Sequence, residues 1–120
     1  MPAGAQTGRM RIVHLSDVPA ATAERFVAES LVESPTSSLR VIRLAPGQEL
    51  PPHRHGASHL DLLVVEGVIT VERDDDEPAQ VRAGGVVSLA GEEELRAANR
   101  GGDDVTLVAF LAPPFPPRQG

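Results

Sequence analysis

Residues 47–67 read GQELPPHRHGASHLDLLVVEG, and they join a histidine cluster to a strongly apolar run. The histidines His53, His55 and His59 fall within seven residues. Because all three have odd numbers, a regular strand would place their side chains on one face. Imidazole nitrogen is a good ligand for transition metals, so the cluster predicts a metal site. The alternative at this point is a group of surface histidines in a Gly/Ser-containing loop.

Outward from this stretch, short apolar runs alternate with turn residues such as Pro46-Gly47 and Gly84-Gly85. Many short strands with a turn signal every eight to twelve residues or so, and almost no helix, indicate an all-β sandwich or barrel. We expect one helical turn near 20–24, and strands near 11–15, 26–32, 39–45, 60–65, 68–72, 81–83, 86–89, 95–98 and 105–111.

A length of 120 residues suits one domain with one core. Residues 1–9 are small and polar and predict a flexible tail. Residues 113–120 are rich in proline and cannot continue a sheet. The β-barrel domain is therefore expected over residues 10–112.

The composition excludes several classes of chemistry. The chain has no Cys, no Lys and no Tyr, which excludes disulfides, thiolate ligands, Schiff bases and phenolic acid–base groups. A formal net charge of −6 without basic blocks argues against nucleic-acid and anionic-membrane binding. No segment is apolar over the length of a membrane span, and the N-terminus does not resemble a signal peptide, so a cytoplasmic location is expected.

The spacing of glycines and histidines resembles the cupin family. The first cupin motif, G-x5-H-x-H-x(3 or 4)-E-x6-G, matches at Gly47, His53, His55 and Gly67. The second, G-x5-P-x-G-x2-H-x3-N, matches at its two ends, in Gly84 and Asn99. The resemblance covers residues 39–111. It implies a jelly-roll β-barrel of two antiparallel sheets, with the site inside the barrel and often with a dimeric assembly.

Two ligand positions of the family depart from its pattern. Leu60 stands where the family has a metal-binding Glu, and Leu95 stands where it has its last metal-binding His. With the shorter spacing the third ligand falls on His59, if a one-residue β-bulge absorbs the extra residue before Gly67. The resemblance then implies a divalent transition metal (Fe, Zn, Ni or Mn) held by His53, His55 and His59.

The opposite interpretation places leucines in the barrel. Leu60, Leu62 and Val64 share one face of the predicted strand, because they alternate along it. If that face points inward and Leu95 joins it, the interior is apolar and suits an apolar small molecule or a filled core.

Two main functions follow from the sequence, beside a purely structural or regulatory subunit as a third possibility. The first is a small cupin that binds a divalent metal through the histidine cluster and acts, as an enzyme such as a dioxygenase or isomerase, on a small organic substrate. The second is a metal-free, non-catalytic cupin that binds an apolar small molecule or a protein partner. The residues do not choose between enzyme and binding protein. A homodimer is expected, with outward residues such as Leu63 and Val65 in its interface.

Overall fold

The computed structural model describes residues 10–114, which form nine β-strands and one short 3-10 helical turn. The turn spans Leu15–Asp17. The strands are β1 (Val27–Glu33), β2 (Ser38–Leu44), β3 (Glu49–His53), β4 (His59–Glu66), β5 (Val68–Arg73), β6 (Ala79–Arg82), β7 (Val86–Leu89), β8 (Leu95–Ala98) and β9 (Val105–Ala112).

The strands form two antiparallel sheets that pack face to face. The larger sheet has the order β1-β2-β9-β4-β7, and the smaller has the order β3-β8-β5-β6. Every neighbouring pair is antiparallel. This arrangement confirms the predicted all-β jelly-roll architecture. Apart from β3, the strands from residue 39 onward lie close to where the apolar pattern predicts them.

One continuous apolar core lies between the sheets. On β4, the side chains of Leu60, Leu62 and Val64 are at most 2% exposed. Leu95 reaches the same core from β8 in the opposite sheet. The prediction that these residues face inward is therefore confirmed, and the barrel interior is mainly aliphatic.

Near the N-terminus the predicted elements are wrong. The predicted strand at 11–15 is absent, and residues 20–24 do not form the helical turn expected there. The turn forms earlier, at Leu15–Asp17, where the Val18 amide donates to the Leu15 carbonyl oxygen. Pro19 disfavours the helical conformation for Val18, which is extended, so the turn ends before the proline.

Strand β3 is an element that the apolar pattern did not single out as a strand. It contains Pro51 and Pro52, which donate no hydrogen bond to a neighbouring strand. The strand lies at the edge of the smaller sheet and pairs only with β8, with a register shift between Leu50 and His53. An edge strand with an irregular register tolerates two prolines, and this explains how the strand forms against its composition.

The predicted tails fall mostly outside the described residues; only Pro113 and Pro114 of the second lie within them. The Pro113 carbonyl oxygen accepts a 2.6 Å hydrogen bond from the Ser58 hydroxyl. Within residues 10–114, no helix is long and apolar enough to cross a membrane. The cytoplasmic location stays a prediction.

Candidate functional site

A cavity of about 160 Å³ opens into the barrel between the two sheets. It is lined mainly by aliphatic side chains and contains a few polar groups. Its lining residues are Arg40, Ile42, Leu50, His53, His55, Leu60, Leu62, Leu95, Ala109 and Leu111. None of these ten residues of the described chain is acidic, so the charged lining is entirely basic.

Arg40 contributes a guanidinium to an otherwise aliphatic wall of the larger sheet. It lies on β2 and pairs with Ala109 of β9, which in turn pairs with Leu62 of β4. Residues paired directly across antiparallel strands share a face, so this row of three side chains crosses the inner face of the sheet. The alternation of β2 places Arg40 on the same side as Ile42 and Leu44.

His53 and His55 are the two predicted ligands that the structure brings together. Their ring centroids are 4.3 Å apart, in an edge-to-face arrangement. His53 ends β3, where it pairs with Leu95, and its Nδ1 lies 2.8 Å from the Pro51 carbonyl oxygen. Since a carbonyl oxygen only accepts, Nδ1 carries the proton and Nε2 is the nitrogen with the free lone pair.

His55 is held in place by its own backbone and by its surroundings. Its amide donates to the Gly91 carbonyl oxygen at 2.7 Å, and its side chain is buried. Burial, together with smaller effects of the positive charges of His53 and Arg40, lowers the pKa of His55 from 6.5 to about 4. The imidazole of His55 is therefore neutral at neutral pH, and the three basic side chains lie close enough to affect one another.

His59 lies on the other side of the sheet, so the expectation that all three histidines share a face is wrong. Its neighbour Leu60 points inward, and His59 itself is exposed. The expectation assumed one continuous strand, but β3 ends at His53 and the chain turns before β4 begins at His59. Gly56, with φ of 60°, lies in that turn, and the odd-and-even alternation does not carry across it.

The predicted β-bulge in β4 exists but does not bring His59 inward. The register between β4 and β9 shifts between Val64 and Glu66. This shift lies C-terminal to the inward residues Leu60, Leu62 and Val64. It therefore does not change the alternation at the start of β4, where His59 points outward.

On the outer face, His59 contacts Asp61 and Ser88. Its Nε2 lies 3.0 Å from Asp61 Oδ1 and 2.8 Å from Ser88 Oγ. A hydrogen bond from Ser88 holds the pKa of Asp61 below its usual range, and His59 lowers it further. Because both contacts use the same nitrogen of His59, the group lacks the relay geometry of a nucleophilic Ser-His-Asp site, in which each ring nitrogen has its own partner.

The residues around the cavity do not fit a resident metal ion. His53 and His55 supply two nitrogen ligands, while Leu60 and Leu95 occupy the positions of the family's other ligands, and His59 points away. Protein metal sites ordinarily use three or four protein ligands. Within residues 10–114, no group of three His, Cys, Asp or Glu side chains is arranged to hold a metal ion.

Arg40 is the site residue that sequence reasoning missed. The signal was present in LRVIRLA, residues 39–45, where the alternation puts Arg40 in phase with Ile42 and Leu44. A charged residue in phase with two aliphatic residues of a half-buried strand indicates a basic group directed into the barrel.

The sequence and the fold together identify the class of protein. The model of the cupin domain matches residues 40–111, which is more than half of the 120-residue chain. The chain therefore belongs to the cupin family.

The relatives agree with this assignment. The chain is 25% identical over 91 residues to an uncharacterized protein of Methanocaldococcus jannaschii, covering 76% of this chain and 78% of that protein. The crystal structure of that RmlC-like cupin matches with a TM-score of 0.69 over 76% of this chain and 83% of the other. An RmlC-like cupin from Desulfovibrio desulfuricans matches with a TM-score of 0.77 at 26% identity, over 89% of this chain and 100% of the other.

A third structure supports the fold alone. A conserved protein of Klebsiella pneumoniae with a double-stranded β-helix domain matches with a TM-score of 0.80, over 88% of this chain and 91% of the other. Its sequence identity to this chain is 20%, so the likeness concerns backbone architecture.

Proposed function

We propose that this cupin binds a small organic molecule in its barrel cavity without a resident metal. The observation that carries the proposal is the cavity itself, with a volume of about 160 Å³ and a mainly aliphatic lining. An apolar cavity of about 150 Å³ is large enough to hold benzene in other proteins. A ligand of that size, with an apolar body, matches this cavity.

The replacement of two family ligands by leucine supports binding without a metal. Leu60 and Leu95 are 2% and 3% exposed, and both line the cavity. Their side chains offer a bound molecule dispersion contacts and exclude water from it. The described lining residues include no carboxylate, and binding of a small molecule requires none of them to act as an acid or a base.

The proposal is tested by titrating the untagged protein with benzyl alcohol, benzamide and benzoate, using ligand-observed NMR and calorimetry. We expect saturable binding of at least one of these compounds. We further expect nuclear Overhauser contacts from the ring protons to methyl groups of Leu62, Leu95 and Ala109. Failure of all three compounds to bind, or contacts only to outer-face residues, would refute the proposal.

A variant that fills the cavity tests whether the ligand binds there. Ala109→Leu replaces a methyl by a branched butyl group on the cavity wall, between Arg40 and Leu62, and we expect it to abolish binding. Val108→Leu enlarges the next residue of the same strand, which belongs to the outward set, and serves as the control. Unchanged binding by a folded Ala109→Leu protein would place the ligand elsewhere and contradict the proposal.

A resident transition metal is the second candidate function. It is supported by the closeness of His53 and His55 and by the hydrogen bond that orients the His53 ring, an arrangement typical of metal-binding imidazoles. A bound ion would polarise an oxygen atom of a ligand or activate water. The weakness of this candidate is the number of metal ligands, since the described residues of the cavity supply two.

The metal content of the purified protein distinguishes metal-free ligand binding from metal binding. We expect the untagged protein, after incubation with Fe, Zn, Ni or Mn salts and desalting, to retain well below one ion per chain by mass spectrometry. Leu95→His adds a third imidazole directly across the strand pair from His53, and we expect this variant to retain metal. A full equivalent in the wild-type protein that disappears in His53→Ala would instead support the metal-binding candidate.

A further inference from the structure

We propose that the ligand of the cavity is a small monocarboxylate with an apolar body, whose carboxylate pairs with the guanidinium of Arg40. This inference rests on the proposed function, since it requires that a small molecule enters the barrel. It adds the chemical class of that molecule.

The lining of the cavity has a one-sided charge. Arg40 carries a permanent positive charge, and the nine other lining residues are two histidines and seven aliphatic residues. Arg40 lines a mainly aliphatic cavity, and a guanidinium in such surroundings attracts an anion strongly because the local dielectric constant is low. A carboxylate matches the planar fork of the guanidinium with two parallel hydrogen bonds.

Two imidazoles lie beside the same charge. His53 and His55 line the cavity with their rings 4.3 Å apart. The Nδ1 proton of His53 is used by the Pro51 carbonyl oxygen, so this ring is held in one orientation at the cavity. A ligand carboxylate that faces Arg40 therefore lies close to the two imidazoles as well. The hydrocarbon part of the ligand then extends towards Leu62, Leu95 and Ala109.

The basic lining formed by Arg40, His53 and His55 contrasts with the negative charge of the whole chain. The formal net charge is −6, so the protein as a whole repels anions. Non-specific anion binding is consequently disfavoured, and an anion that binds must be recognised locally. The small volume limits the ligand to about the size of a benzoate or a short branched fatty acid.

The decisive comparison needs no variant, because benzoate and benzamide have nearly the same shape and differ in charge. At neutral pH we expect benzoate to bind the wild-type protein at least about tenfold more tightly than benzamide, as measured by calorimetry. Isovalerate and isovaleramide repeat the comparison with an aliphatic body, and the acid should again bind more tightly.

Substitutions of Arg40 then identify the group responsible. We expect Arg40→Gln to remove most of the preference for benzoate over benzamide while benzamide binding stays within about threefold. Arg40→Lys keeps the charge but lacks the fork, and it should retain part of the preference. Arg82→Gln, an exposed arginine of β6, makes the same change in net charge and should leave the preference intact.

The outcomes separate this inference from the proposed function. Equal binding of benzoate and benzamide, both lost in Ala109→Leu, would leave the proposed function standing and overturn the carboxylate inference. A preference for benzoate that survives in folded Arg40→Gln would also overturn it. If neither compound of either pair binds the wild-type protein, both the proposed function and the inference fail.

Discussion

His55 is the buried histidine of the chain, and its surroundings make the stability of the fold depend on pH. Its pKa is about 4 in the folded protein, against 6.5 for an ordinary histidine. Between these values the unfolded chain binds a proton that the folded protein does not. The free energy of unfolding should therefore fall as the pH falls from 6.5 to 4, by up to about 3 kcal/mol from this group.

Urea unfolding at a series of pH values measures this effect. His55→Asn should flatten the dependence in the stated window, because it removes the titrating group. His14→Gln removes an exposed histidine and should keep the wild-type profile. A His55→Asn protein that loses stability with the same slope as wild type would show that another group is responsible.

The side chain of Asn99 is a buried amide that hydrogen-bonds to three backbone groups. Its Nδ2 donates to the carbonyl oxygens of Leu44 and Asp103, at 3.0 and 2.8 Å, and its Oδ1 accepts from the Gly101 amide. Asn99→Ala should leave the buried Leu44 carbonyl oxygen without this partner, at a cost of about 2 kcal/mol in unfolding free energy. Thermal and urea unfolding check the value, and a change below about 0.5 kcal/mol would contradict this role.

At the scale of elements, the passage from β4 to β5 depends on one glycine. Gly67 is the single residue between Glu66 of the larger sheet and Val68 of the smaller, and its φ is 82°. A Cβ at this position would lie 2.5 Å from the Asp104 carbonyl oxygen. The residue is therefore fixed both by its backbone conformation and by close packing.

Gly47 offers a matched comparison, because its φ is 87° but a Cβ there would meet nothing within 4 Å. We expect Gly47→Ala to cost about 1–2 kcal/mol, for backbone strain alone. Gly67→Ala should cost clearly more, because the Asp104–Val105 backbone must also move. Equal losses of unfolding free energy in the two variants would contradict the packing argument.

The sequence predicts most of the strands because their apolar residues alternate or run continuously. The prediction from sequence fails where the local residue pattern favours one structure and the contacts in the folded protein favour another. The stretch 11–15 forms no strand, and Leu15 begins the 3-10 turn instead, whereas β3 pairs despite Pro51 and Pro52. In both cases, whether the segment forms a strand depends on whether another strand lies beside it for pairing. A local sequence pattern does not contain this information.

The candidate site was predictable in part. His53 and His55 were found by their spacing, and the inward set of leucines by its alternation. His59 was misplaced because counting odd and even positions holds only within one uninterrupted strand. The apolar pattern of its strand does not mark Arg40 as a site residue, whereas its alternation with Ile42 does.

At the scale of the whole molecule, the outer face of the larger sheet carries an apolar row. Leu63 pairs with Val86 on one side and with Val108 on the other, and Phe110 adjoins them on β9. Leu63, Val86 and Phe110 are between 39% and 61% exposed. Such a row is typical of a surface that is buried on self-association, so the homodimer stays our prediction.

Light scattering coupled to size exclusion tests the prediction. The wild-type protein should elute with the mass of two chains, and Leu63→Glu should convert it to a monomer. Val68→Glu introduces the same charge at an exposed position of β5, in the other sheet, and should leave the mass unchanged. A wild-type monomer at high concentration would refute the prediction.

The pairing of Leu95 with His53 also has a consequence for how such proteins evolve. The leucine codons CTT and CTC become histidine codons through one base change. Where residue 95 is encoded by CTT or CTC, one base change would set a third imidazole opposite His53. Within this barrel, the proposed site for an organic anion and a site for a metal ion would then differ by one substitution, and the change from one to the other would need no new fold.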